Sequence, residues 1–482
     1  MVMGGFTRNF KPLNLLTAEQ VEKITWGTLD ILEHTGVRFE SDRALDLFAE
    51  AGCAVDRDLM RVRFPPALVE KSLGHCPSSF HVKARDAKHH LRIGGNSVYF
   101  SNSEGMRAVD LDTWEARPAT RKENADGLRI LDALENVHFL ATYTPYFEVE
   151  GIPSVMAIPE SVAGKIRHST KFQETGYQLG CEVFTIQMAQ AVGIEIMGGC
   201  NPSSPLAYYG DAVECAFRFC EAGFPLHLAS GVVMGGTVPA TVAGALMSTN
   251  AELMAGVVLI QLIKPGTRLT VADCAYPMNM RSGSPAFGAI GVSLHHAAFN
   301  QLWRSYGVPV HNSCGFSSSK IIDFQCGYEK AIMAMIAALS GCHIVFLPGG
   351  IHAELIYHPV QSILDNDIAG MVGRFIEGVH VTEETLALNL IEQVGPIPGM
   401  FLDKGHTREW WMREQYVPKA ADWLTYPEWI ASGKKSALSY AADRMQDILA
   451  THEPVPLTAE QDRDLDRILE QARQHYEKQG ML

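Results

Sequence analysis

Val308-Pro309-Val310-His311-Asn312-Ser313-Cys314-Gly315-Phe316 and His343-Ile344-Val345-Phe346-Leu347-Pro348-Gly349-Gly350-Ile351-His352 flank a long Ala/Met-rich helical pattern. Each stretch runs apolar and then ends in Asn, Ser, Cys, Gly or His. That is the texture of neighbouring parallel strands whose C-terminal ends carry chemistry. Working outward, further strands are expected at Val137–Thr142, Thr170–Gln173, Ile194–Gly198, Leu226–Ser230 and Leu269–Asp273, with an eighth near residues 354–363. Helical patterns lie between them from residue 122 to residue 340. Strand and helix alternation over seven or eight units predicts an α/β fold closed into a (β/α)8 TIM barrel, with an open doubly wound sheet as the alternative.

Ahead of the barrel, Val21, Ile24, Ile31 and Leu32 share one helical face, with Thr17 and Gln20 spaced as a capping box and Gly36 as the stop. Residues 60–118 read instead as short strands broken by Gly, Asn, Ser and Pro. The expected division is therefore 1–120 for N-terminal helices and a small β elaboration, 121–400 for the catalytic barrel, and 401–482 for an aromatic-rich helical extension. In that extension Trp410, Trp411, Trp423 and Trp429 are interleaved with Pro418 and Pro427, which suits a wrap across a subunit surface or a cap on the barrel's own core.

A net charge of -14 argues against a nucleic-acid or anionic-membrane surface, because both need clustered Lys and Arg. The N-terminus lacks a signal-peptide pattern and the apolar windows are short or broken, so a cytoplasmic setting is expected. The 10 cysteines include no CxxC pair and read as buried free thiols. No Walker A, GxGxxG, HExxH or GxSxG signature occurs. His295-His296 sits inside a helical run and reads as packed or solvated rather than metal-binding. His311 with Cys314, and Cys342 with His343, have no third partner at metal-site spacing, so no metal is expected.

Several segments carry a family resemblance: Val109-Asp110-Leu111-Asp112-Thr113 through Arg117-Pro118-Ala119-Thr120, Gly235-Gly236-Thr237-Val238-Pro239-Ala240-Thr241, Asn250-Ala251-Glu252-Leu253-Met254, and Asp323-Phe324-Gln325-Cys326-Gly327-Tyr328-Glu329-Lys330. In these the chain resembles the trimethylamine methyltransferase family over nearly its whole length. The resemblance implies a barrel that passes a methyl group from a methylated amine to the Co(I) of a separate corrinoid protein. No permanently bound cofactor is implied, and homo-oligomerisation is. Founding members carry pyrrolysine roughly where Ser313 to Ser319 lie here, and this chain has ordinary residues there. It therefore looks like the non-pyrrolysine branch, whose members act on quaternary amines, glycine betaine foremost. Proline betaine, carnitine, choline and γ-butyrobetaine are the substrate alternatives. A non-catalytic quaternary-amine binding protein is the alternative from another class.

A quaternary ammonium stays positive without a proton, so its displacement needs no general acid. Aromatic faces hold such a cation without overstabilising the ground state. Tyr99, Phe100, Tyr143, Phe316 and Tyr357 are the expected cage, with Tyr146 a further aromatic near the first strand. His352 is expected to meet a substrate carboxylate, with His311 and Asn312 beside it, and Glu174 to orient substrate or water.

Overall fold

The computed structural model describes residues 4–482, and its centre is a closed parallel barrel. The strands are β1 (Ser97–Ser101), β2 (Phe139–Leu140), β3 (Phe172–Thr175), β4 (Ile196–Gly199), β5 (Leu226–Met234), β6 (Leu269–Asn279), β7 (Val310–Ser313) and β8 (Ile344–Phe346). Each precedes one helix: α1 (Arg121–Ala133), α2 (Ala157–His168), α3 (Glu182–Val192), α4 (Gly210–Ala222), α5 (Val242–Ile263), α6 (Ile290–Ser305), α7 (Phe324–Ser340) and α8 (Pro359–Ile376). Closure comes from β8 pairing with β1, Ile344 opposite Tyr99 and Phe346 opposite Ser101.

That closure corrects the sequence reading in one place. Ser97–Ser101, expected in the elaboration before residue 121, is the first barrel strand, and residues 354–363 supply no barrel strand. Ile356–Tyr357 pairs instead with Arg107–Val109 outside the barrel, and Pro359 opens α8. The error has a physical source. The loop after β1 is long enough to hold its own hairpin, Arg107–Val109 against Ala116–Arg117, so the strand reads as part of a separate β unit.

The expected capping box of Thr17 and Gln20 forms at the start of helix Ala18–Asp30, whose last turn widens over Ile31–Thr35 before Gly36. This helix, together with Asp42–Glu50 and Pro66–His75, packs on α5. Helix α5 is consequently buried on both its barrel and outer faces, and an all-round apolar sequence follows. Among the described residues it is the one helix long and apolar enough to cross a membrane, and its place in the core accounts for that composition.

Below the barrel the hairpin Ser79–Val82 with Leu91–Gly94 closes the N-terminal end. Its Phe80, Val82, Leu91 and Ile93 join Tyr99, Phe139, Phe172, Met197 and Ile344 in one apolar floor. The ten cysteines are all free thiols, most of them buried. Trp411 and Trp423 stand exposed, so neither caps the barrel core.

Candidate active site

Side chains alternate across a strand, so every second residue of each barrel strand faces inward. On β3 these are Phe172 and Glu174, on β5 His227, Ala229 and Gly231, on β6 Ala272, Cys274 and Tyr276, and on β7 His311 and Ser313. Above the apolar floor, to which Phe172 belongs, the others line a cavity of about 540 Å³ near the strands' C-terminal ends. Tyr143, Tyr177, Phe287, Phe316 and Phe346 surround it, and Glu104 and Glu354 reach it from the loops after β1 and β8. Tyr276, Phe287 and Phe316 form an aromatic corner with ring centroids 4.9 to 6.0 Å apart, and Phe346 meets Phe316 edge-on at 5.5 Å.

The polar centre is made of three strand residues. Glu174 Oε1 lies 4.0 Å from His227 Nδ1 and 3.9 Å from His311 Nδ1. Glu174 and His311 are 3% and 4% exposed, and Glu174 Oε1 and His311 Nδ1 have no hydrogen-bond partner among the described residues. Burial, then the neighbouring charge of Glu104, pushes the Glu174 carboxyl up to about 8, against the pull of Lys165. Glu104 rises to about 7 through burial and Glu354, and burial raises Glu354 as well. Burial takes His227 down to about 4, and burial with the neighbouring His227 and His296 holds His311 well below its ordinary value. The imidazoles are thus neutral at pH 7. Lys165, on α2, spends its three N–H groups on the carbonyls of Ala141 (3.0 Å), Thr142 (2.9 Å) and Glu174 (2.5 Å), and burial lowers it to about 7. It braces the ends of β2 and β3 and leaves no donor for a ligand.

Of the residues anticipated from sequence, Glu174, Tyr143, His311 and Phe316 come together on this cavity. The other five lie elsewhere. Tyr99 faces inward one layer too low, in the floor, where its hydroxyl accepts from Arg92 N at 3.1 Å. Phe100 and Asn312 follow inward residues and so point outward: Phe100 packs on Phe6, and Asn312 Oδ1 accepts from Asn300 Nδ2 at 2.6 Å. Tyr357 is buried outside the barrel against Tyr146, bonded to Ser362, and Tyr146 is likewise in that core. His352 is half-buried beside Ser317, off the cavity wall.

The pairs weighed as soft ligands also separate. Cys314 packs in the outer core, and Cys342 and His343 bond to main-chain groups. His295 is packed, as expected, bonding to Asp273 at 2.7 Å. Glu104, His227, Tyr177, Tyr276, Phe287, Phe346 and Glu354 were not anticipated. A histidine at the second position of the apolar run Leu226-His227-Leu228 is the signal that alternation offers for His227.

A cavity at the mouth of a (β/α)8 barrel, lined by aromatic rings and by carboxyls and imidazoles with shifted protonation, sits in a chain with known relatives. The family model for trimethylamine methyltransferase (MTTB) matches residues 2–476. The chain belongs to the trimethylamine methyltransferase family. It is 31% identical over 469 residues to a glycine betaine methyltransferase of Desulfitobacterium hafniense, covering 95% of this chain and 97% of that protein. Trimethylamine methyltransferase MttB of the same species is 29% identical over 473 residues, covering 95% and 94%. Among solved structures, the hydroxylamine complex of MtmB superposes with a TM-score of 0.50 at 12% identity, covering 100% of this chain and 96% of that one, which bears on the fold alone. Methyltransferase relatives aligned end to end make this chain a methyltransferase of the methylamine and betaine class.

Proposed function

We propose that the protein moves a methyl group from a quaternary amine, glycine betaine foremost, to the Co(I) of a corrinoid held by a separate protein. The observation that carries this reading is the aromatic wall of Tyr143, Tyr177, Tyr276, Phe287, Phe316 and Phe346 around a cavity that also holds Glu104, Glu174 and Glu354. Ring faces hold a desolvated cation by roughly 0.5–2 kcal/mol each. The carboxyls add attraction, softened because burial favours their neutral forms. That softening suits the reaction: the substrate nitrogen loses its charge during transfer, and fixed anions would hold the ground state more tightly than the transition state.

The corrinoid supplies the nucleophile. This chain's residues then bind and orient the donor, with the ammonium against the rings and the polar end toward His227 and His311. The apolar walls exclude water from the methyl group. No general acid is required, because the departing amine leaves neutral. The same chemistry on proline betaine, carnitine, choline or γ-butyrobetaine is the substrate alternative, and a silent binding protein would keep the cage without the transfer. The partners on this reading are a cognate corrinoid protein at the barrel mouth and, over the exposed apolar arm of residues 379–431, a second copy of this chain, in a cytoplasmic setting.

Purified protein mixed with chemically reduced cobalamin and a panel of quaternary and tertiary amines tests the proposal through formation of methylcobalamin. Methylation with a quaternary amine is the expected result. Silence with every donor, even with the cognate corrinoid protein added, favours the binding-protein alternative.

A further inference from the structure

The cavity wall contains three carboxyls and two imidazoles but, among the described residues, no Arg or Lys. On the reading above, a betaine would bring its own carboxylate into this surrounding with no cation to meet it. Aromatic rings serve only the ammonium end. A missing positive charge in an otherwise built site needs a physical source.

Glu174, His227 and His311 each offer one ligand atom, and these atoms lie within 4.8 Å of one another. They come from three different strands, β3, β5 and β7, whose ladders fix their spacing through main-chain hydrogen bonds. Two of the three present an unpartnered buried atom to the common centre, Glu174 Oε1 and His311 Nδ1, and a buried polar atom left unbonded costs free energy unless something occupies it. Thr270 Oγ1 lies 3.0 Å from His227 Nδ1, the ring nitrogen 4.0 Å from Glu174 Oε1, so this hydrogen bond gives way when that nitrogen takes an ion. The approaches of 3.9 and 4.0 Å exceed the roughly 3.3 Å ligand–ligand edge that metal–ligand bonds of about 2.0–2.1 Å imply for a tetrahedral site. Binding would therefore require the side chains to rotate toward one another.

We propose that Glu174, His227 and His311 bind one divalent transition ion of the zinc type, with its open coordination position facing the cavity. Two imidazoles and one carboxylate are a donor set for such an ion, and a site with three protein ligands keeps a place for an exogenous oxygen. Resting on the proposed function, that place receives the carboxylate of the methyl donor, so the ion is a substrate anchor beside the apolar floor, where Phe139 lies 6.3 Å from His311. No bond to carbon is made or broken at the ion.

The test begins with chelator-stripped full-length protein titrated calorimetrically with Zn²⁺, and with Co²⁺ followed by its visible absorption. One ion per chain is expected, with affinity falling roughly 100-fold or more in His311→Ala and in the near-isosteric Glu174→Gln. Unchanged thermal melting of Glu174→Gln at pH 6 shows that the loss is not unfolding. Absence of binding, or equal binding by wild type and both variants, overturns the site. A second titration compares glycine betaine with tetramethylammonium, with and without Zn²⁺. The anchor role predicts that the ion tightens glycine betaine by tenfold or more and leaves tetramethylammonium unchanged, and equal effects on both overturn it. If neither amine binds under either condition, the quaternary-amine reading and the anchor role fall together, while the ion titration still decides the metal site.

Discussion

Lys330 Nζ meets Asp365 Oδ2 at 2.5 Å with both side chains fully buried. The pair joins α7 to α8 and also fixes the turn after β8: Lys330 donates to the carbonyl of Gly350 at 2.7 Å, and Gly349 N donates to Asp365 at 2.9 Å. Gly349 has φ +108°, and a Cβ there would stand 2.0 Å from the Tyr357 ring. The turn thus depends on one glycine and one ion pair, and it leads directly to Glu354 at the cavity.

Removing one partner strands the other charge in the interior, so Lys330→Met is expected to cost about 3–5 kcal/mol. The double variant Lys330→Met/Asp365→Leu leaves no unpaired charge and should recover much of that loss. Denaturant melts of the three proteins decide it; a double variant as unstable as the single would refute the account.

Glu174 sets the sign of one pH dependence. Its carboxyl titrates near 8 when folded and near the ordinary 4.5 when unfolded, so between those values the folded chain binds more protons. Its contribution to stability is complete below about 4.5 and is lost as pH rises through 8. Glu174→Gln removes this loss. Its melting temperature relative to wild type is expected to climb from pH 5 to pH 8, and a constant offset would contradict the buried-acid assignment.

Tetramethylammonium has no titrating proton, so its binding reports the site alone. Glu104 and Glu174 gain charge, and Lys165 loses it, around pH 7 to 8. Each change favours a cation. Affinity measured calorimetrically is expected to strengthen severalfold from pH 6 to pH 9, and a flat or falling profile would count against these carboxyls facing the ligand.

Phe316→Ala opens the aromatic corner and should weaken the same ligand by roughly 0.5–2 kcal/mol, a few-fold to about thirtyfold. Phe100→Leu is the matched control, an outward ring packed on Phe6 and His138, expected to lower the melting temperature with little effect on affinity.

The barrel was legible because β5 to β8 are apolar runs separated by long helices, and period-2 alternation within them could have sorted His311 from Asn312 without a structure. Two facts were out of reach. Nothing local to Ser97–Ser101 says that its partner is Ile344–Phe346, since strand pairing is a long-range choice made by the whole barrel. The meeting of Glu174, His227 and His311 likewise depends on ladder register across three strands, not on their spacing in the chain. Tyr357 misled for a simpler reason: an aromatic beside a glycine-rich turn looks the same whether it faces the cavity or the outer core.

The pairing of β1 with β8 also has a bearing on biosynthesis. Translation yields the first strand long before its partner, so the growing chain carries an open sheet edge until residue 346 has emerged, and an unpaired edge invites association with other chains. Phe6–Thr7 pairs antiparallel with Val98 and Ser97, along the same strand that awaits β8. In the folded protein the N-terminal segment covers part of β1, and Arg8, whose guanidinium bonds the carbonyls of Ala338 and Cys342, ties that segment to the chain just ahead of β8.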